Sequence, residues 1–209
     1  MDEVDVLTPV AQDYLKVIWA ATEWGEPPIT TKGLAARFGT SQANVSDTVR
    51  RLAAQGLVTY EPYRPVALTA RGTRLAMAMV RRHRLIECFL AQLLGYGWDE
   101  VHDEAERLEH AVSDDFLTRI DRLLGNPRFD PHGDPIPGPD GTLPIAPPAV
   151  LLPQAAAGRY LVARVSDADP EVLARLRDRG LVPGVVVETA ELDLTDPDLA
   201  AVHIRPLER

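Results

Sequence analysis

The run His102-Asp103-Glu104-Ala105-Glu106-Arg107-Leu108-Glu109-His110 constrains this chain more than any other stretch. Written as a helix, it places His102, Glu106, Glu109 and His110 at i, i+4, i+7 and i+8, so two imidazoles and two carboxylates point into one space. A solvated charged face would interleave Lys or Arg with the acids, and only Arg107 does so. Left alone the group repels itself, and a divalent cation that takes nitrogen and oxygen ligands is the simplest compensation. A second pair, His83 and Glu87, shares a face of the long helix predicted from about Arg71 to Leu94. Taken singly, His83 after Arg81-Arg82 would read equally well as a basic residue facing nucleic acid.

A chain of 209 residues, 45% hydrophobic and 25% charged, suffices for one large domain or two to three small ones. No apolar run approaches a membrane span, and the start Met1-Asp2-Glu3-Val4-Asp5 is acidic where a signal peptide is basic, so the expectation is a cytoplasmic protein without a membrane partner. The single Cys88 excludes an intrachain disulfide framework and any multi-thiolate zinc site. The net charge of −9 is unevenly spread. Residues 26–82 carry nine Lys or Arg against three acids, a local +6, and residues 99–140 carry twelve acids against four Arg, a local −8. One module therefore suits a polyanion and another suits cations.

The basic module reads as a winged helix-turn-helix. Thr30 or Thr31 can cap a short helix through Leu34, Ala35 and Phe38; Gly39 breaks it, Ser41 caps a second, and Gly56 ends that one. In the second helix Val45, Val49 and Leu52 face inward. The groove-facing candidates are Ser41, Gln42, Ala43, Asn44, Ser46, Asp47, Thr48, Arg50 and Arg51, with Arg64 near the tip of a hairpin made by Leu57–Tyr60, a turn at residues 62–65, and Val66–Thr69. Amides at Gln42 and Asn44 can meet base edges while the arginines neutralise phosphates. A carboxylate at Asp47 can accept from a cytosine amine or repel non-cognate backbone, and spacing does not choose between them.

Nine of the 18 prolines lie between Pro127 and Pro153, which reads as a linker or extended arm, and His132 within it reads as a turn residue between Pro131 and Gly133. Beyond it, strands over Gly158–Val165, Gly184–Ala190 and Ala201–Ile204, with a short helix from Pro170 to Arg179, predict a small β-barrel. The fold class expected is mainly α with small β.

In the order of its parts the chain resembles the diphtheria-toxin-repressor family, and specifically its manganese-responsive, MntR-type branch with a C-terminal SH3-like domain. The resemblance rests on Asp13-Tyr14-Leu15, the winged helix, Arg82-His83-Arg84-Leu85 with Glu87, Val101-His102-Asp103-Glu104-Ala105-Glu106 with Glu109-His110, Asp130-Pro131-His132-Gly133-Asp134-Pro135-Ile136-Pro137-Gly138, and Arg175–Gly184. It implies a winged-helix domain at 1–74, a helical dimerisation and metal-binding domain at 75–143, a Pro-rich linker at 144–157 and an SH3-like domain at 158–209. It further implies a regulatory site of Asp13, Glu106, Glu109 and His110, and an ancillary site of His83, Glu87 and His102 completed from the C-terminal domain. Asp167 is the candidate for that last ligand; Asp169 and Glu171 compete with it or act as helix caps.

The iron-responsive branch has Met and Cys at the positions of Asp13 and Glu106. Oxygen ligands there favour a harder ion, so Mn²⁺ is expected, with Fe²⁺ second and Zn²⁺, Cd²⁺ or Co²⁺ as surrogates in vitro. Lys16 stands where shorter relatives carry a ligand carboxylate, which implies two separated single-metal sites rather than a close pair. The function implied is a metal-dependent repressor that binds palindromic double-stranded operator DNA as a homodimer and controls manganese homeostasis genes. Two other readings are a metalloenzyme, disfavoured by the lack of paired Glu-x-x-His motifs or an obvious nucleophile, and a winged-helix regulator of an organic ligand, which would bind DNA in chelator. No small-molecule organic substrate is expected.

Overall fold

The computed structural model describes residues 3–25, 27–62 and 64–207, and these group into two compact units, 1–82 with 139–141, and 83–138 with 142–209. In the first unit α1 (Pro9–Glu23) starts where the Thr8 side chain accepts from the Ala11 amide. Helices α2 (Thr31–Arg37) and α3 (Gln42–Ala54) start likewise at Thr30 and Ser41, whose hydroxyls accept from Gly33 and Asn44 amides at 3.2 Å. Leu15, Leu34, Val45, Val49 and Leu57 are fully buried around a common core, and Tyr14 stacks on Phe38 with ring centroids 4.4 Å apart.

The wing consists of β1 (Val58–Thr59) and β2 (Ala67–Leu68), paired antiparallel with Val58 opposite Leu68. It is shorter than the four-residue strands expected, because the Val66 amide donates to the Ile29 carbonyl and leaves the hairpin ladder. Tyr63, in the predicted turn, lies outside the described residues.

Helix α4 (Ala70–Leu94) begins in the first unit and continues into the second, where α5 (Val101–Leu108) and α6 (Asp114–Leu123) follow. Leu85, Ile86, Leu90, Val101, Ala105 and Ile120 form their core. Helix α5 ends at Leu108, two residues short of the expectation, so Glu109 and His110 occupy a turn rather than the same helix face as His102. The reason is local: Ser113 caps α6 only a few residues later, and the chain must reverse before it.

The C-terminal part is a four-stranded antiparallel sheet in the order β3-β6-β4-β5, from β3 (Val150–Leu151), β4 (Arg159–Val165), β5 (Val186–Glu188) and β6 (Val202–Pro206), with α7 (Pro170–Asp178) between β4 and β5. Residues expected in the 144–157 linker thus supply a strand, Val150 opposite Ile204, and Leu152, which is fully buried in the β core with Val162, Leu176 and Ile204. The segment 127–138, also expected to be an arm, is packed. Phe129 and Pro135 form a β-bridge, Ile136 is buried, and the Val165 amide donates to the His132 carbonyl at 2.9 Å. At Gly133, whose φ is +90°, a Cβ would lie 2.1 Å from the Ala163 carbonyl oxygen, so only glycine lets the segment lie this close to β4.

A comparable approach occurs in the first unit, where a Cβ at Gly72 would lie 1.9 Å from the Leu57 backbone oxygen. Both partners are backbone, so Gly72→Ala forces α4 away from the wing. The variant is expected to lose about 2 kcal/mol, read from urea unfolding; unchanged stability would show that this packing is slack.

Candidate metal centre

Helix α4 places His83 and Glu87 one turn apart, and both are buried, with His83 Nε2 3.0 Å from Glu87 Oε1. Helix α5 brings His102, whose Nδ1 lies 3.2 Å from His83 Nε2 and 3.4 Å from Glu87 Oε1. The turn after β4 brings Asp167, with Oδ2 3.2 Å from the same His102 nitrogen. Asp169, its competitor, is committed elsewhere: its carboxylate accepts from the Glu171 and Val172 amides and caps α7.

Of the four residues expected to form the regulatory set, Glu106, Glu109 and His110 lie in the second unit and Asp13 in the first. Glu109 is fully buried, and its Oε2 meets His83 Nδ1 at 2.5 Å, joining the set predicted to be ancillary. Glu106 Oε1 lies 3.7 Å from His102 Nε2, and His110 Nε2 lies 3.7 Å from Glu109 Oε1. Asp13 is on α1 in the first unit and half-buried, with Lys16 buried one turn further on.

His132 does sit in a turn, as its neighbours Pro131 and Gly133 suggested, but that turn is packed rather than part of an exposed arm. It is fully buried, with Nε2 2.6 Å from the Trp98 carbonyl and Nδ1 3.8 Å from Glu87 Oε1. Asp130 builds the turn that presents it, one carboxylate oxygen accepting from the His132 and Asp134 amides at 2.8 and 2.9 Å. A histidine between proline and glycine carries no periodicity, so the only local hint was the acid two residues away on either side.

Ligand-type atoms of Glu87, His132 and Asp167 lie within 4.8 Å of one another, as do those of His83, His102 and Glu106. Two buried atoms in the first group, Glu87 Oε2 and His132 Nδ1, have no hydrogen-bond partner. Buried polar atoms without partners are costly, and a carboxylate oxygen beside an imidazole nitrogen is a suitable donor pair for a divalent cation. The residues present therefore fit a metal.

The electrostatics of the cluster without metal agree with this. Burial opposes ionisation of Glu87 and of Asp167, but His83 and His102 outweigh it for the former and His102 for the latter, holding both well below the usual carboxylate range. Burial likewise opposes charge on His102, yet hydrogen bonds to Asp167 and Glu87 push its pKa up to about 10. A proton on imidazole thus supplies the positive charge that the carboxylates demand. Next to it, Arg84 lies 3.3 Å from Asp130 and donates to the Pro135 carbonyl at 2.7 Å, while Arg164 of β4 donates to Asp134. Even so, burial and the neighbouring Asp134 and Glu87 charges raise Asp130 well above its usual range.

In the first unit the exposed arc of α3 carries Gln42, Ala43, Asn44, Asp47, Arg50 and Arg51, with Ser41 also exposed and Ser46 and Thr48 half-buried; Arg64 is exposed on the wing. The Tyr14 hydroxyl of α1 hydrogen-bonds Thr48 and lies near Arg51, so α1 is tied to α3. Burial raises the Tyr14 pKa against both of those contacts. No helix among the described residues is long and apolar enough to cross a membrane.

Residues 6–66 match the family model of the iron-dependent repressor N-terminal DNA-binding domain, and residues 69–138 match that of the iron-dependent repressor metal-binding and dimerisation domain. The iron-dependent repressor IdeR of Mycobacterium leprae (strain TN) is 36% identical over 199 residues, covering 88% of this chain and 86% of the relative. The diphtheria toxin repressor of Corynebacterium diphtheriae is 37% identical over 134 residues, 64% of this chain and 59% of the relative. Among solved structures, a manganese-dependent transcriptional repressor in complex with manganese superposes with a TM-score of 0.83 at 45% identity, covering 94% of this chain and 100% of the other. The manganese regulator SloR superposes with a TM-score of 0.74 at 31% identity, covering 95% and 99%.

The raised His102 pKa has a signed consequence. Its stabilisation of the metal-free fold is complete below about 6.5, the ordinary imidazole value, and is lost as pH rises through about 10. Thermal unfolding in chelator should therefore show stability falling from pH 6.5 to 10, and His102→Ala should flatten that slope; an equal slope in both proteins would contradict the assignment.

Proposed function

Because the chain belongs to the iron-dependent repressor family, whose members are metal-dependent transcriptional repressors and not enzymes, we propose that it is the manganese-responsive kind. The observation that carries this reading is the donor set. Every candidate ligand offers nitrogen or oxygen. The one thiol, Cys88, is buried, directed at the Phe129 carbonyl, and raised in pKa mainly by its burial. A hard set of this kind suits Mn²⁺ better than ligands with sulfur would, with selectivity left to geometry. The superposition on a manganese-dependent repressor at 45% identity supports the same reading. The iron-dependent relatives keep Fe²⁺ as the second.

In this proposal Asp13, Glu106, Glu109 and His110 form the regulatory site, and His83, Glu87, His102 and Asp167 the ancillary one, with His132 added. When bound, the cation supplies the positive charge that protonated histidine otherwise provides. The role of Asp13 follows from its helix: α1 also carries Tyr14, whose hydroxyl holds Thr48 of α3, so an α1 fixed through Asp13 fixes the recognition helix with it. Residues 1–74 would bind operator DNA and residues 75–143 the second copy. Leu93, Leu94, Phe116 and Leu123, all exposed in the single chain and within the matched dimerisation segment, supply apolar area for that contact. Metal and DNA then tighten one another by a common factor.

Titrating chelator-stripped protein onto DNA from its own upstream region should give tight, sequence-specific binding with Mn²⁺, weaker binding with anaerobic Fe²⁺ and little without metal. Equal binding in chelator would overturn the metal switch, and preference for Fe²⁺ would overturn the manganese assignment. Asp13→Ala should remove most of the metal-induced gain, about tenfold or more. Leu94→Glu combined with Leu123→Glu should shift the sedimenting species from dimer to monomer.

A further inference from the structure

We propose that Asp47 and Arg50 act as one base reader in α3, Arg50 selecting a guanine and Asp47 the cytosine of the adjacent base pair. The inference rests on the DNA-binding role of the first unit and adds what that helix reads. Val45, Val49 and Leu52 bury the inner face of α3, so the outer face presents a shallow concavity lined by Asn44, Asp47, Thr48, Arg50 and Arg51. The polar groups there are not equivalent. Asn44 Nδ2 donates back to Thr40 Oγ1 at 3.2 Å and Arg51 donates to Thr48 Oγ1 at 3.1 Å, so both are drawn towards the helix. Arg50 Nη1 instead donates to Asp47 Oδ1 at 2.7 Å, and the two side chains are 63% and 71% exposed.

A lone carboxylate on a surface that meets a polyanion is repelled. Paired with Arg50 it is neutralised, and in return it restrains a guanidinium that would otherwise swing to the nearest phosphate. One contact leaves the guanidinium with further N–H donors, in the planar arrangement that fits O6 and N7 of guanine. Asp47 keeps acceptor capacity that suits the N4 amine of cytosine; at adenine the neighbouring N7 acceptor would repel it. Residues three apart are offset by about 4.5 Å along a helix, close to the ~3.4 Å step between bases on one strand, so the two contacts fall on adjacent pairs. Such a pairing also accounts for an acidic residue in a module of local charge +6.

The test uses the full-length, Mn²⁺-loaded protein to select from randomised duplexes, followed by competition among sites with single substitutions at fixed salt. The native protein should enrich a guanine next to a cytosine within each half-site. Arg50→Ala should lose discrimination at the guanine by about tenfold or more, and Asp47→Asn, nearly isosteric and at an exposed position, should relax discrimination at the cytosine, both with preferences elsewhere kept. If Arg50→Ala weakens all duplexes evenly and lowers the salt dependence by about one phosphate contact, Arg50 is a phosphate clamp and the proposal is overturned. An unchanged base profile in Asp47→Asn also overturns it. A native protein that enriches no sequence would overturn the regulator reading together with this one, which separates the two failures.

Discussion

A carboxylate buried at Glu87 has to be matched by positive charge, and the second unit is arranged around that requirement. Glu87 is 1% exposed on a helix whose neighbours Leu85, Ile86, Cys88 and Leu90 are all apolar and buried. Among the described residues, no lysine or arginine is paired with it directly. Three imidazoles are, from three separate places: His83 on the same helix, His102 on α5 and His132 in the packed segment before the β domain. Histidine charge depends on pH, so the compensation is conditional. That condition distinguishes a site that can exchange a proton for a cation from one that merely holds the fold together.

The contrast lies a few ångströms away. Asp130 and Asp134 are also buried, but their partners are Arg84 and Arg164, cations that do not titrate in the working range. This second network needs no metal. Its effect is to hold the segment from Asp130 to Pro135 between α4 and β4, with Gly133 close against the Ala163 carbonyl. The segment presents His132 and, together with β4, brings Asp167 to His102. An arginine-anchored network thus positions the histidine cluster, and buried pairs used in this way contribute to specificity of arrangement more than to stability.

In the first unit the same economy of contacts links the metal-ligand candidate to the DNA-facing helix. Tyr14 stacks on Phe38 of the helix-turn-helix and holds Thr48 by its hydroxyl, while its neighbour Asp13 points in a different direction from the helix axis. One helix therefore serves two purposes: the Tyr14 face orients α3, and the Asp13 face is the ligand side proposed for regulation.

Periodicity was enough to identify the winged helix with its Ser41 cap, and the pairs His83–Glu87 and His102–Glu106, because these depend on side chains three or four positions apart on one helix, whereas the choice of Thr30 over Thr31 as the first cap came from the structure. Asp167 was legible only through family resemblance, and its separation from the capping role of Asp169 required the backbone amides that Asp169 accepts. The sequence by itself therefore determined most of the elements, the segregation of charge and most of the candidate ligands. Only the tertiary structure decided that Glu109 turns in to meet His83, that Val150–Leu152 belong to the β domain, and that His132 faces Glu87. Each of these depends on contacts between residues distant in the chain, and such contacts leave no period for local pattern to detect.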